Sequence, residues 1–177
     1  LVSHLYIAPG GRVSVAHRHP NARERFHVLA GQVGFRIGTT ERTLGPGDSA
    51  EVPIETVHDW WQVGEEEAGV LVEVDPGDRF VEMIGTFFGL ARDGKVDRKG
   101  LPHLPQLAVT AAAYRDTMIP EKPPAAVQKL IFAVFGPIGR AMGRKPTYPE
   151  YLETDVVVEP DPAALALVGA DGRLIFR

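Results

Sequence analysis

From Leu1 to about Asp75, apolar and polar positions fall in short, partly alternating runs separated by Gly, Pro and Asp, the pattern of closely spaced antiparallel strands. The runs are Leu1 to Ile7, Arg12 to His17, Arg25 to Leu29, Gln32 to Ile37, Thr40 to Leu44, Ser49 to Val52, His58 to Val63 and Val70 to Val74. Strands of this length and spacing predict a double-sheet jelly roll. After Pro76-Gly77 the period lengthens toward 3.6 residues, and Phe80 to Arg92 predicts a helix with Asp78 as its N-cap. Arg92 to Leu104, rich in Gly and charge, predicts a loop. Pro105 then opens a second helix in which Leu107, Ala111, Tyr114 and Met118 share a face, with Arg115 and Asp116 toward solvent.

Pro120 to Pro124 breaks the pattern. From Ala125, the residues Val127, Leu130, Ile131, Val134, Phe135, Ile138 and Met142 form a continuous helical stripe, the most apolar part of the chain. Lys129, Pro137 and Arg140 interrupt it, and it is shorter than the roughly 20 apolar residues a membrane span needs. The expectation is therefore no membrane span, but a helix packed over the barrel or against a partner chain. Near the C-terminus, Ala164 to Val168 and Leu174 to Phe176 flank Asp171-Gly172, which offers a hairpin turn. The domain reading is a β-barrel over 1–77 and a mainly helical extension over 78–177.

Two histidines stand two residues apart in the second run, His17 and His19, so on a strand both imidazoles project to the same face. Pro20-Asn21-Ala22 supplies a turn, and the returning strand brings Glu24 back beside them. Along that strand Phe26 and Val28 share the face of Glu24, whereas His27 points the other way and is not expected to be a ligand. His58 opens a later strand on which Trp60 and Gln62 share its face and Trp61 faces outward. Phe26, Phe35, Trp60 and Gln62 are thus candidates for a pocket wall, Gln62 with a hydrogen bond to offer a substrate. Simple core packing accounts equally well for the aromatic residues. His103 lies in a loop without a partner motif and is expected to be exposed.

With 177 residues, a hydrophobic share of 44% and a charged share of 24%, the chain is sized for one principal globular domain. Its net charge of −4, with Lys and Arg scattered, argues against nucleic acid as a partner. The absence of cysteine excludes disulfides, thiolate ligands and a Cys nucleophile, so a metal would be held by nitrogen and oxygen. Leu1 to Ala8 is apolar but lacks a basic leader, which points to a cytoplasmic protein.

Gly11, His17, His19, Glu24 and Gly31 reproduce at every position the pattern G-x5-H-x-H-x3-4-E-x6-G, and Gly47, Pro53 and His58 fit G-x5-P-x-G-x2-H-x3-N. In these residues the chain resembles the cupin superfamily over residues 1 to about 75. The resemblance implies a mainly β, double-stranded β-helix barrel carrying a C-terminal helical extension. It further implies a divalent metal ion held by His17, His19, Glu24 and His58, and a homodimer paired through its sheets. Glu55 stands where the family has glycine and Gln62 where it has asparagine. Neither change removes a ligand, but glycine at position 55 would permit a backbone angle that glutamate adopts at a cost. Three imidazoles and one carboxylate suit Fe(II), Mn(II), Ni(II) or Zn(II), and the open positions of a cupin metal favour the first three.

Two functions follow from that resemblance. One is a metal-dependent enzyme acting on a small molecule, by dioxygenase-like oxidation or by metal-assisted isomerisation, epimerisation or cyclisation. The other is a non-catalytic small-molecule binding or sensing module. No second acid/base motif separates them, since Glu55, Asp59 and Glu73 read as ordinary surface carboxylates.

Overall fold

The structure, a computed structural model, describes residues 1–153 and 159–175. They form two compact units, one made of Leu1–Gly77 with the described residues of 158–177, the other of the described residues of 78–157.

The first unit is built from two antiparallel sheets. One has the order β1 (Val2–Ile7), β8 (Ala68–Asp75), β3 (Arg23–Ala30), β6 (Ser49–Val52). The other runs β5 (Thr40–Leu44), β4 (Gln32–Ile37), β7 (His58–Val63), β2 (His17–Arg18). Four strands keep the bounds that alternation predicts, and β1, β3 and β8 differ only at their ends. The strand expected over Arg12 to His17 is different, because it is reduced to an isolated bridge between Arg12 and Trp61 and then the short β2. The cause is local: the imidazole Nδ1 of His17 lies 2.9 Å from the carbonyl of Val15, taking up an acceptor a regular ladder would have used.

Register sets the interior. In the first sheet Glu24, Phe26 and Val28 stand opposite Val74, Val72 and Val70, and all six are buried. In the second, Val33, Phe35 and Ile37 stand opposite Gln62, Trp60 and His58. The rings of Phe26 and Phe35 meet with centroids 4.8 Å apart, closing the space between the sheets. On the outer face Trp61 lies across Gly34, where an added Cβ would come within 2.3 Å of the indole. Trp61 thus points away from the His58 face.

Strand β8 is buried on both faces because the C-terminal residues cover its outer side, with Ala164 and Leu174 packing on Leu71. The arm expected as a strand from Ala164 begins instead as a short helix, Pro162–Leu165, capped by the Asp161 side chain accepting from the Ala163 amide. Asp171-Gly172 does form the turn, but the hairpin amounts to one bridge, Val168 to Leu174. Phe176 lies outside the described residues.

The second unit contains α1 (Asp78–Arg92), α2 (Leu104–Ala113) and α3 (Ala125–Ala141), with a 3₁₀ turn at Pro149–Tyr151. Asp78 is the first helical residue of α1. Helix α2 stops at Ala113, so Met118 lies beyond it, and its buried residues are Gln106, Ala108, Val109 and Thr110 rather than Leu107 and Ala111. Gln106 is tolerated inside because its amide donates to Thr110 Oγ1 and to the Lys145 carbonyl while its oxygen accepts from Tyr148. Helix α3 turns its small residues inward. An added Cβ on Gly139 would lie 2.5 Å from the Pro105 carbonyl and 2.7 Å from Val109, so the glycine is what lets α2 and α3 approach. Val127, Leu130, Val134, Ile138 and Met142 are consequently left exposed. Among the described residues, no helix is long and apolar enough to cross a membrane.

Candidate metal centre

His17, His19, Glu24 and His58 converge between the two sheets, each offering one ligand atom, with all four atoms within 4.8 Å of one another. Three elements deliver them. His17 lies on β2 directly opposite His58 on β7, and Glu24 comes from β3 of the facing sheet. His19 follows two residues after His17, past the end of β2. All four side chains are buried. Donor atoms about 2.1 Å from a shared ion stand up to about 4.2 Å apart, so the cluster is slightly wider than a closed ligand shell.

The two paired histidines are held in the same way. His17 Nδ1 is 2.9 Å from the Val15 carbonyl and His58 Nδ1 is 3.0 Å from the Thr56 carbonyl. Each bond reaches back two residues, and a carbonyl only accepts, so Nδ1 carries the proton and Nε2 of the neutral ring presents a lone pair. Carbonyl acceptors of this kind orient metal-bound imidazoles. The sequence reading missed both carbonyls, although their signal is the repeated two-residue offset.

Neutral imidazole is the state the site favours at His17. Burial, reinforced by the neighbouring His58, lowers its pKa to about 4. Glu24 Oε2 lies 2.7 Å from His58 Nε2 and 3.3 Å from His19 Nε2. Neither Glu24 Oε2 nor His58 Nε2 has a hydrogen bond of acceptable geometry. Two buried acceptors brought this close need a positive charge between them, either a second proton on His58 or a metal ion. Three imidazoles and a carboxylate are a donor set suited to a divalent transition metal, so the residues fit the group.

The remaining candidates are placed as follows. Phe26 and Phe35 are fully buried, and the Phe26 ring stands 6.5 Å from that of His58. Trp60, half-buried, is on the His58 face of β7. The Gln62 amide is already engaged: its oxygen accepts from the Gly10 amide at 2.9 Å, and Nε2 lies 2.6 to 3.1 Å from the carbonyls of Val63, Gly64 and Glu66. It pins two loops. His27 is outside the cluster with Nδ1 2.8 Å from Ser49 Oγ, and His103 is exposed. Glu55, Asp59 and Glu73 each pair with an arginine, respectively Arg18, Arg36 and Arg25.

Glu55 keeps the glycine-like backbone with φ 64°, alone among the described non-glycine residues in having positive φ. Its amide donates to the His19 carbonyl at 2.9 Å, fastening the turn before His58 to the chain after β2. The left-handed angle costs roughly 1–2 kcal/mol, partly offset by the exposed pair with Arg18, which contributes about 0–1 kcal/mol. Glu55→Gly is therefore expected to leave the melting temperature unchanged or a few degrees higher, whereas Glu55→Val should lose about 2 kcal/mol. Thermal melts of the three proteins check this.

Residues 3–75 match the family model described as Cupin domain. No curated protein matches the chain. Among solved structures, similarity extends to a sugar phosphate isomerase from a cupin superfamily of Silicibacter pomeroyi, at 26% identity and TM-score 0.38 over 40% of this chain and 46% of that one. A conserved Klebsiella pneumoniae protein with a double-stranded β-helix domain matches at 26% identity and TM-score 0.40, over 44% of this chain and 67% of that one. A Bacteroides fragilis cupin protein matches at 20% identity and TM-score 0.38, over 41% and 62%. The chain thus spans under half the length of the first of these.

Proposed function

We propose that residues 3–75, which form a cupin domain, bind one divalent metal ion through His17, His19, Glu24 and His58 and use it to act on a small molecule. The observation that carries this reading is the convergence of Glu24 Oε2 and His58 Nε2, two buried acceptors without hydrogen-bond partners, beside two more imidazoles. A bound Fe(II), Mn(II) or Ni(II), or Zn(II) in second place, would be held by these four residues and would supply Lewis-acid or redox chemistry there. The protein's share is to keep the His17 imidazole neutral, fix the tautomers of His17 and His58 through Val15 and Thr56, and wall the site with Phe26.

The substrate class is a small molecule able to chelate through oxygen, transformed by oxidation or by isomerisation, epimerisation or cyclisation. One observation favours a non-catalytic, ligand-holding role instead: the Gln62 amide and the carboxylates of Glu55, Asp59 and Glu73 are all engaged elsewhere. Elemental analysis of protein purified without chelators, followed by screens for metal-dependent oxygen uptake and for substrate isomerisation, separates the readings. We expect one equivalent of metal in the wild type and none in His17→Ala or His58→Ala. Saturable ligand binding with no product in either screen would move the assignment to the binding module. A homodimer paired through the sheets and a cytoplasmic location belong to the same proposal, and sedimentation equilibrium tests the first.

A further inference from the structure

Helix α3 is apolar on two sides. One side packs on α2 through Gly139 and carries the buried Gln128 and Gly136. The other exposes Val127, Leu130, Val134, Ile138 and Met142, with Leu130 63% and Met142 55% accessible. Steps of three and four residues keep these five on one side of a 3.6-residue helix over about 22 Å. Ala126, Ala133 and Pro137, also exposed, widen the strip. A second apolar face of this length calls for a cover.

The charges around the strip show what kind of cover fits. From Lys122 to Pro149 the chain has five basic residues, Lys122, Lys129, Arg140, Arg144 and Lys145, all exposed, and no Asp or Glu, although the protein as a whole carries −4. We propose that this face seats on an anionic lipid surface, with α3 lying in the plane of the headgroups. A second copy fits poorly, because self-pairing sets the five cations of this segment against one another with only Glu121 and Glu150, at its two ends, to answer them. Anionic headgroups supply the missing charge, and the long, exposed side chains of Lys129 and Arg140 have the reach to meet the phosphates. Spanning is excluded for this helix, whose 17 residues include Lys129, Pro137 and Arg140. Shallow burial of one face is the mode such a helix supports. The inference is independent of the metal site.

Co-sedimentation of the full chain with vesicles tests it, using phosphatidylcholine alone and an equal mixture with phosphatidylglycerol. The expected result is binding to the mixed vesicles at low salt at least about tenfold stronger than to the neutral ones, weakened at molar salt. Leu130→Glu should reduce binding about tenfold. The double variant Lys129→Glu/Arg140→Glu should reduce it by about fivefold for each cation, and it reads the charges even where the first variant folds poorly. Far-UV circular dichroism should match wild type in the variants compared. Equal binding to both vesicle types, or binding insensitive to both variants, overturns the proposal. So does a dimer that Leu130→Glu dissociates, which would assign the face to self-association, or binding to polyglutamate with none to mixed vesicles, which would assign it to an acidic protein partner.

Discussion

Glu24→Gln should abolish stoichiometric metal binding while leaving the metal-free protein as stable as wild type, or more so. The substitution keeps size and shape but exchanges the single anionic donor for an amide whose NH2 can donate to the imidazole nitrogens around it. In the metal-free wild type, Glu24 Oε2 and His58 Nε2 stand 2.7 Å apart with both Nδ1 protons of the His17–His58 pair committed to backbone carbonyls. Replacing one acceptor with a donor relieves that contact. Were the cluster instead a permanent ion pair between Glu24 and a doubly protonated His58, removing the carboxylate would strand a buried imidazolium and cost about 3–5 kcal/mol. The sign of the stability change therefore distinguishes a metal centre from a structural ion pair.

The same variant gives a second readout. Metal at about a thousand times its dissociation constant adds about 4 kcal/mol to the folded state, which in a domain this small amounts to a shift of about 15 °C or more. Wild type should lose that increment on chelation, and Glu24→Gln should show no response to chelator at all. A wild type indifferent to chelation after reconstitution with iron, manganese, nickel and zinc would remove the basis for the proposed function.

What the sequence made legible follows from which side chains are constrained by periodicity and which by partners it does not reveal. Strand parity put His17 and His19 on one face, set Phe26 and Val28 with Glu24 and turned His27 away, because a two-residue period admits no other arrangement once one face is buried, whereas the motif spacing marked Glu24 and His58. Parity also put Gln62 inward, but it could not show that loops at Gly10, Gly64 and Glu66 would consume the amide. In α3 the failure had another source. A continuous apolar stripe was read as the packing face, yet in a helix apolar on two sides the packed side is chosen by how closely its neighbour can approach. Gly139 made that choice in favour of α2, against the larger residues. At position 55 the sequence identified the strained spot, and the structure shows glutamate adopting the angle while its amide and carboxylate are both held.

The largest loss of stability from a single substitution is expected at Gly31, the last glycine of the first motif. Its φ of 67° is left-handed, and an added Cβ would lie 2.6 Å from the Glu67 carbonyl oxygen and 2.8 Å from the Ala68 Cα, both backbone atoms of the strand edge it packs against. No rotamer can relieve a clash with main chain, so either the turn after β3 or the start of β8 must move. Those two strands carry Glu24 and the Val70, Val72 and Val74 row facing it. Gly38 supplies the control. Its φ is also left-handed, at 60°, but nothing lies within 4 Å of an added Cβ. Gly38→Ala should therefore cost only the conformational penalty, about 1–2 kcal/mol. Gly31→Ala should cost that plus the steric term, about 4 kcal/mol in all, and the same displacement should lower metal occupancy. Urea unfolding of both variants, with metal content measured alongside, isolates the steric part by difference. Equal losses at the two positions would mean that the β3–β8 junction yields without resistance, and that the motif glycine is needed for its backbone angle alone.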